Sequence, residues 1–225
     1  MIRLEKSEAL QRKIRQDDVA ELAIPTSTLV CEAMQAGRVD EALNFLQYSC
    51  AENQAMHDIM VVFVDDVLAH LARFGEGEVL KLMRQRYYDR VKSWLSVTPG
   101  VEETLQVLAE YFRSHFSNFT VVEEPDRYIM SLNPCGSGGR LRRSRHVATT
   151  KEAYPWSWGK SGVSYYCTHC CVFFEIIPTE LRGYPLAINL IAERPEEPCV
   201  QLYYKKPELI PEEYFTRIGM TKTIK

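Results

Sequence analysis

The chain lacks any uninterrupted apolar run of the roughly 18 residues that a membrane-spanning helix requires. Its longest candidate, residues 59–71, is broken by Asp65, Asp66 and His70. The opening Met1-Ile2-Arg3-Leu4-Glu5-Lys6 lacks the apolar centre of a signal peptide, so a cytoplasmic protein with reduced thiols is expected. An excess of positive charge is missing too. The 27 Lys and Arg face 30 Asp and Glu, for a net charge of −3, which argues against nucleic acid or an anionic membrane as partner. Several catalytic signatures are absent: no His-Glu-x-x-His, no paired Glu-x-x-His, no Gly-x-Ser-x-Gly and no phosphate-loop or dinucleotide glycine pattern. Gly37-Arg38-Val39-Asp40-Glu41-Ala42-Leu43 is like a helical-repeat fragment, but no fixed period follows, which excludes a solenoid.

What is present suits one large domain or two small ones: 225 residues, 46% hydrophobic and 25% charged. The first half reads as helix. Pro25-Thr26-Ser27-Thr28 gives a start and Gly37 a stop. Val39, Ala42, Leu43, Leu46 and Cys50 then recur at helical spacing, and Met56, Ile59, Met60, Phe63, Val64, Val67, Leu68 and Leu71 continue as one apolar face. Gly75-Glu76-Gly77 interrupts before a helix over 78–95. After Thr98-Pro99-Gly100, Pro99 with acidic Glu102 and Glu103 favours another helix to about His115.

The second half changes character. Residues 119–123 and 127–132 are β-rich runs around Glu124-Pro125-Asp126, a hairpin. A Gly- and Arg-rich loop follows from Cys135 to about Gly162. Residues 167–181 open a helix, and 184–191 and 199–204 read as strands. The expected fold is α+β: a helical region over 1–117, then an antiparallel sheet with an inserted helix over 118–225. The boundary near 117 is either a domain edge or a change of layer.

Cysteine is unevenly placed. Of seven, Cys31 and Cys50 lie in the helical half and Cys135, Cys167, Cys170, Cys171 and Cys199 in the rest. In Tyr165-Tyr166-Cys167-Thr168-His169-Cys170-Cys171, a Cys-x-x-Cys pair puts two thiolates on one turn, within reach of one soft or borderline cation. Cys135 supplies a third metal ligand, and Cys171, His169, His146 or Cys199 are candidates for a further one. Zinc is the expected metal, with an iron–sulfur cluster as the alternative. A different use of the same residues makes Cys135 a nucleophile with His146 or His169 as base.

The neighbouring segments offer a ligand site. Asn133-Pro134-Cys135-Gly136-Ser137-Gly138-Gly139-Arg140 can gather backbone N–H groups around an anion and favour the Cys135 thiolate. Arg140, Arg142, Arg143 and Arg145 with His146 form the one basic run. From it, Arg140 or Arg143 suits a substrate carboxylate. Trp156 and Trp158 suit the wall of a pocket for a flat or apolar molecule. Glu175, in an apolar run, is the candidate proton carrier, with Arg182 as its expected partner. Asp58 and Asp65, seven apart, share a helix face and read as a solvated stripe.

The order of features in residues 119–205 resembles the L-2-amino-thiazoline-4-carboxylic acid hydrolase-like family. The resemblance is carried by a hairpin leading to Pro134-Cys135, a cysteine-bearing helix start at Cys167 to Cys171, Gly183-Tyr184-Pro185, and the closing strand Cys199-Val200-Gln201-Leu202-Tyr203. It rests on order more than identity. This chain differs in its Gly-Ser-Gly-Gly-Arg loop, its Cys170-Cys171 pair and its Trp-Ser-Trp segment. The resemblance implies hydrolysis of a small heterocycle or of a C–N or C–S bond. The resulting expectation is a metal-thiolate hydrolase or lyase on a small anionic or aromatic molecule. Cys135, Cys167 and Cys170 hold the metal, while Glu175, His169 and Cys171 serve the chemistry. The alternatives are the cysteine-nucleophile hydrolase and a non-catalytic metal or iron–sulfur ligand-binding module. A homo-oligomer is compatible with all three.

Overall fold

A computed structural model of the chain describes residues 2–97 and 100–224. The expected break at Thr98 and Pro99 lies outside the described residues. The chain forms two compact units, Met1–Ile59 and Met60–Lys225.

In the first unit, β1 (Leu4–Ser7) and β2 (Arg12–Arg15) pair antiparallel, and α1 (Thr26–Gln35) follows. The hairpin departs from the all-helical expectation. Its strands are charged and mostly solvated, so no period-2 apolar signal marks them. Gly37, at φ 71°, ends α1 as expected. The small core is Ala33, Ala42 and Phe45 with Ile2, Leu29 and Val30. Arg15 crosses this unit, bonding Asp17 at 2.7 Å, Thr26 Oγ1 at 3.1 Å and the Ile24 carbonyl at 2.7 Å.

Helix α2 (Val39–Ala72) runs unbroken for 34 residues, and the division between the units falls within it. The second unit continues with α3 (Glu76–Val97) and α4 (Val101–Ser114). Strands β3 (Phe119–Glu123) and β4 (Arg127–Leu132) form the expected hairpin. The expected loop after it contains α5 (Gly138–Ser144). A helical run then has three parts: α6 (Thr168–Cys170), a π-helical stretch (Cys171–Ile176) and α7 (Ile177–Arg182). Strand β5 (Ile188–Leu190) is shorter than the sequence suggests, since Pro185 has no N–H to give a ladder. Strand β6 (Cys199–Tyr204) and α8 (Glu213–Thr216) close the chain. The sheet order is β3-β4-β6-β5, antiparallel throughout, so the α+β architecture is as expected.

Pro178 shapes the helical run. It has no N–H to donate to the Phe174 carbonyl four residues back, and the Leu186 N–H takes that acceptor instead at 2.8 Å. The chain after α7 is thereby tied onto the helix. Met130, Leu132 and Tyr203 of the sheet pack with Val172, Phe174 and Ile177 and with Val79, Met83, Leu108 and Phe112 of α3 and α4 in one core. Residues on both sides of position 117 share this core.

Asp65 departs from the solvated-stripe reading. It is almost fully buried on α2, and its Oδ1 has no hydrogen-bond partner among the described residues. Burial raises its pKa; Arg145 opposes this and Asp66 adds to it. The folded state thus holds the proton more tightly than the unfolded chain, and stability falls as pH rises from 3.8 through the raised folded value. Asp65→Asn is expected to gain about 1 kcal/mol at pH 7, and the gain should fade toward pH 3.8 in urea unfolding. A uniform gain at both pH values would contradict this account.

Candidate functional site

The end of β4 leads directly into the thiol site. After Leu132 a cis Asn133–Pro134 bond turns the chain to Cys135. The loop is pinned by the Gly136 N–H on Ser117 Oγ at 2.8 Å. Arg140 adds donations to the carbonyls of Phe116 at 2.7 Å and His115 at 3.1 Å. Two glycines then admit a close approach. A Cβ on Gly138 would lie 2.7 Å from Cys167 Sγ, and one on Gly139 would lie 3.1 Å from Cys135 Cβ. The register pairs Leu132 with Cys199, so β6 delivers its first residue beside the start of this loop.

Four cysteines from three segments consequently share one cavity. Cys135, Cys167, Cys170 and Cys199 line it with Phe112, Trp158, Asn189 and Gln201, and its volume is about 30 Å³. Burial, then the charge of neighbouring thiols, pushes Cys167 up to about 12 and Cys170 well above the usual thiol range. Cys199 is raised as well, mainly by burial. Without a counter-charge these thiols stay protonated. They surround a space without converging on a point: among the described residues no group of three His, Cys, Asp or Glu is drawn together as an ion site.

His169 borders the same cavity. Its Nδ1 lies 2.5 Å from the Tyr166 carbonyl, where only an N–H can donate, so the proton sits on Nδ1. That leaves Nε2 as an acceptor, 3.6 Å from Cys170 Sγ. Burial lowers the imidazole pKa to about 4, so the pair is a neutral imidazole beside a neutral thiol. Cys171 faces elsewhere. It is buried and donates to the Pro155 carbonyl at 3.5 Å, one helical step away from Cys170. His146 is exposed and does not line the cavity.

Glu175 sits in the π-helical stretch and is fully buried. Its Oε1 accepts from Trp158 Nε1 at 2.8 Å and from the Asn189 N–H and Nδ2 at 2.8 and 2.9 Å. Its Oε2 accepts from Arg217 at 2.8 Å. Burial raises its pKa, and Arg217, Asn189 and Trp158 oppose that shift. The expected partner Arg182 is corrected to Arg217. Arg182 instead donates to the carbonyls of Tyr184 and Pro185, because it belongs to the turn that ends α7. Glu175 does not line the thiol cavity but reaches it through Asn189. The chain of contacts goes on through Gln201 Nε2 to Asn189 Oδ1 at 2.7 Å and from Tyr203 OH to Gln201.

The remaining expected ligand contacts are placed as follows. Arg143 donates to the Pro195 and Glu196 carbonyls and to Asn133 Oδ1. Arg142 donates to the carbonyls of Ala192 and Glu193. With Arg140 they fasten the cysteine loop to its surroundings. Trp158 borders the thiols, whereas Trp156 stacks on Tyr154 at 5.0 Å, away from them. Asn189, Gln201 and Arg217 are absent from the sequence-derived site. Alternation along β6 places Cys199, Gln201 and Tyr203 on one face, so that signal was available for Gln201. Arg217 lies in a short irregular segment without one.

The chain matches no protein-family model, and no curated protein or solved structure is significantly similar to it.

Proposed function

We propose that Cys135, Cys167, Cys170 and Cys199 together hold a thiolate-bound metal centre, and that the second unit is a metal-containing ligand-binding module. The observation that carries this reading is the gathering of four thiols from three separate segments around one small cavity. A single zinc ion needs its thiolates about 2.3 Å from one point. An iron–sulfur cluster takes the same four cysteines but spreads them around a larger body. Zinc is the first expectation for this cavity and the cluster the alternative. Gly138 and Gly139 support the reading, because they allow the loop to close on the thiols.

Protein purified anaerobically without an affinity tag is expected to carry one centre per chain: zinc alone for the single ion, or iron with acid-labile sulfide in matching amounts for the cluster. Serine at each of the four positions should lower bound metal at least about tenfold, while Cys31→Ser and Cys171→Ser should leave it unchanged. Full metal content in Cys199→Ser would reduce the ligand set to the three expected from sequence. Metal-free wild-type protein with seven reduced thiols would reject the centre.

Hydrolysis or elimination on a small molecule is the second reading. It requires one coordination position left open by protein ligands, and Cys199, already accepting from the Ala192 N–H at 3.5 Å, is the ligand whose release would open it. The shared feature order with the L-2-amino-thiazoline-4-carboxylic acid hydrolase-like family supports this version. Turnover that persists in Cys199→Ser and vanishes in Cys135→Ser and Cys167→Ser would favour it over the closed centre.

A further inference from the structure

His169 has a second open side. There, within the same unit, lies a groove of about 280 Å³. One wall is α2, which presents the adjacent Phe63 and Val64 and, one helical turn on, Val67. These side chains are 60%, 42% and 36% exposed. The other wall is α3, with Leu82 and, four residues on, Arg86. Tyr87, Tyr166 and His169 form an aromatic floor. The His169 ring stands edge-on to Tyr166 at 5.0 Å and tilted to Tyr87 at 6.3 Å.

The lining has one charged side chain, Arg86, and no carboxylate. Arg86 is exposed, and among the described residues no ion pair engages it. Apolar walls, a floor of rings and one guanidinium call for a molecule with an apolar body and a single negative head. The volume admits roughly ten non-hydrogen atoms at about 30 Å³ each. We infer that this groove binds a small apolar carboxylate, its hydrocarbon on Phe63, Val64, Val67 and the floor and its head on Arg86.

Such a ligand lies against one face of His169, while the Nε2 edge of the same ring meets Cys170. His169 thus borders both the groove and the thiol cavity. A ligand here acts on the centre by fixing His169 and does not enter the ligand set. This last role rests on the four-cysteine reading; binding in the groove does not.

The test is calorimetric titration of the purified full chain with octanoate, octan-1-ol and octylamine, with metal content measured on the same preparation. Octanoate is expected to bind at least about tenfold more tightly than octylamine. Arg86→Gln should weaken octanoate at least about fivefold and leave octan-1-ol unchanged. Val64→Asp should abolish binding of both. Equal affinity for all three probes, or octanoate binding indifferent to Arg86→Gln, would overturn the inference. So would absent binding together with self-association that Val67→Asp breaks in sedimentation, since a second copy would then cover the groove. Metal without octanoate binding refutes the groove alone, and binding without metal refutes the centre alone.

Discussion

Glu175→Ala is expected to destabilise the second unit by about 3–5 kcal/mol, the usual result of removing one partner from a buried ion pair. The carboxylate receives four donors: Trp158 Nε1, the Asn189 N–H and Nδ2, and Arg217. Its loss leaves an indole N–H without an acceptor and a guanidinium without its counter-charge, held then only by the Asn189 carbonyl at 3.1 Å and the Tyr214 ring. Trp158 feels this most, since its backbone sits at φ 56°, a left-handed conformation that a tryptophan adopts only when its surroundings hold it there. Glu175→Gln keeps the volume and some of the contacts but loses the ion pair, and should fall between the alanine variant and wild type. Urea unfolding followed by tryptophan fluorescence measures both. A loss below about 1 kcal/mol for the alanine variant would show that the network is replaceable by water.

Gly136→Ala is expected to cost about 3 kcal/mol or more, beyond the common range for an added methyl group in a packed interior. The new Cβ would lie 1.9 Å from the His115 carbonyl oxygen and 2.6 Å from Ser117 Oγ. Neither can withdraw cheaply. The His115 carbonyl accepts from Arg140, and Ser117 Oγ accepts from the Gly136 N–H itself. The clash pushes the loop that carries Cys135, so on the proposed metal centre loss of stability should be accompanied by loss of metal. Gly77→Ala is the contrast. It lies in the first turn of α3 with nothing within 4 Å of a new Cβ, and should gain about 0.5–1 kcal/mol. Wild-type stability in Gly136→Ala, read from thermal unfolding, would mean that the loop is free to move.

The sequence made the fold class legible because the two periodicities are strong in different stretches. The 3.6-residue pattern of residues 39–71 and the hairpin runs around Glu124-Pro125-Asp126 both appear where expected. The β1–β2 hairpin was not legible, since its strands bury too little apolar surface to show an alternation. At the site, Cys135, Cys167 and Cys170 stood out through local motifs and do line one cavity. Cys199 was ambiguous because its place depends on strand register, and no local spacing encodes that. The partner of Glu175 was misread for a related reason. Arg182 is seven residues away on the chain, yet the guanidinium that reaches the carboxylate comes from Arg217, brought back by the segment after β6. The arginines of the basic run were read as ligand contacts because composition does not reveal that backbone carbonyls at Phe116, Ala192 and Pro195 receive them.

The wide turn at Cys171–Ile176 sets the angular phase of everything downstream. A π-helical segment accommodates one residue more per bonded ring than an α-helix, so it offsets α7 against the Cys167–Cys170 turn that precedes it. Deleting a single residue there would let the run relax to α-helix and rotate one part against the other by about 100°. Either the thiol pair would leave its cavity, or Ile177 and the Glu180 carboxylate, held by Arg84 at 2.8 Å, would leave α3. The stretch works as a phase adjuster: it lets one helical run satisfy two faces of the core that a uniform pitch would bring out of step.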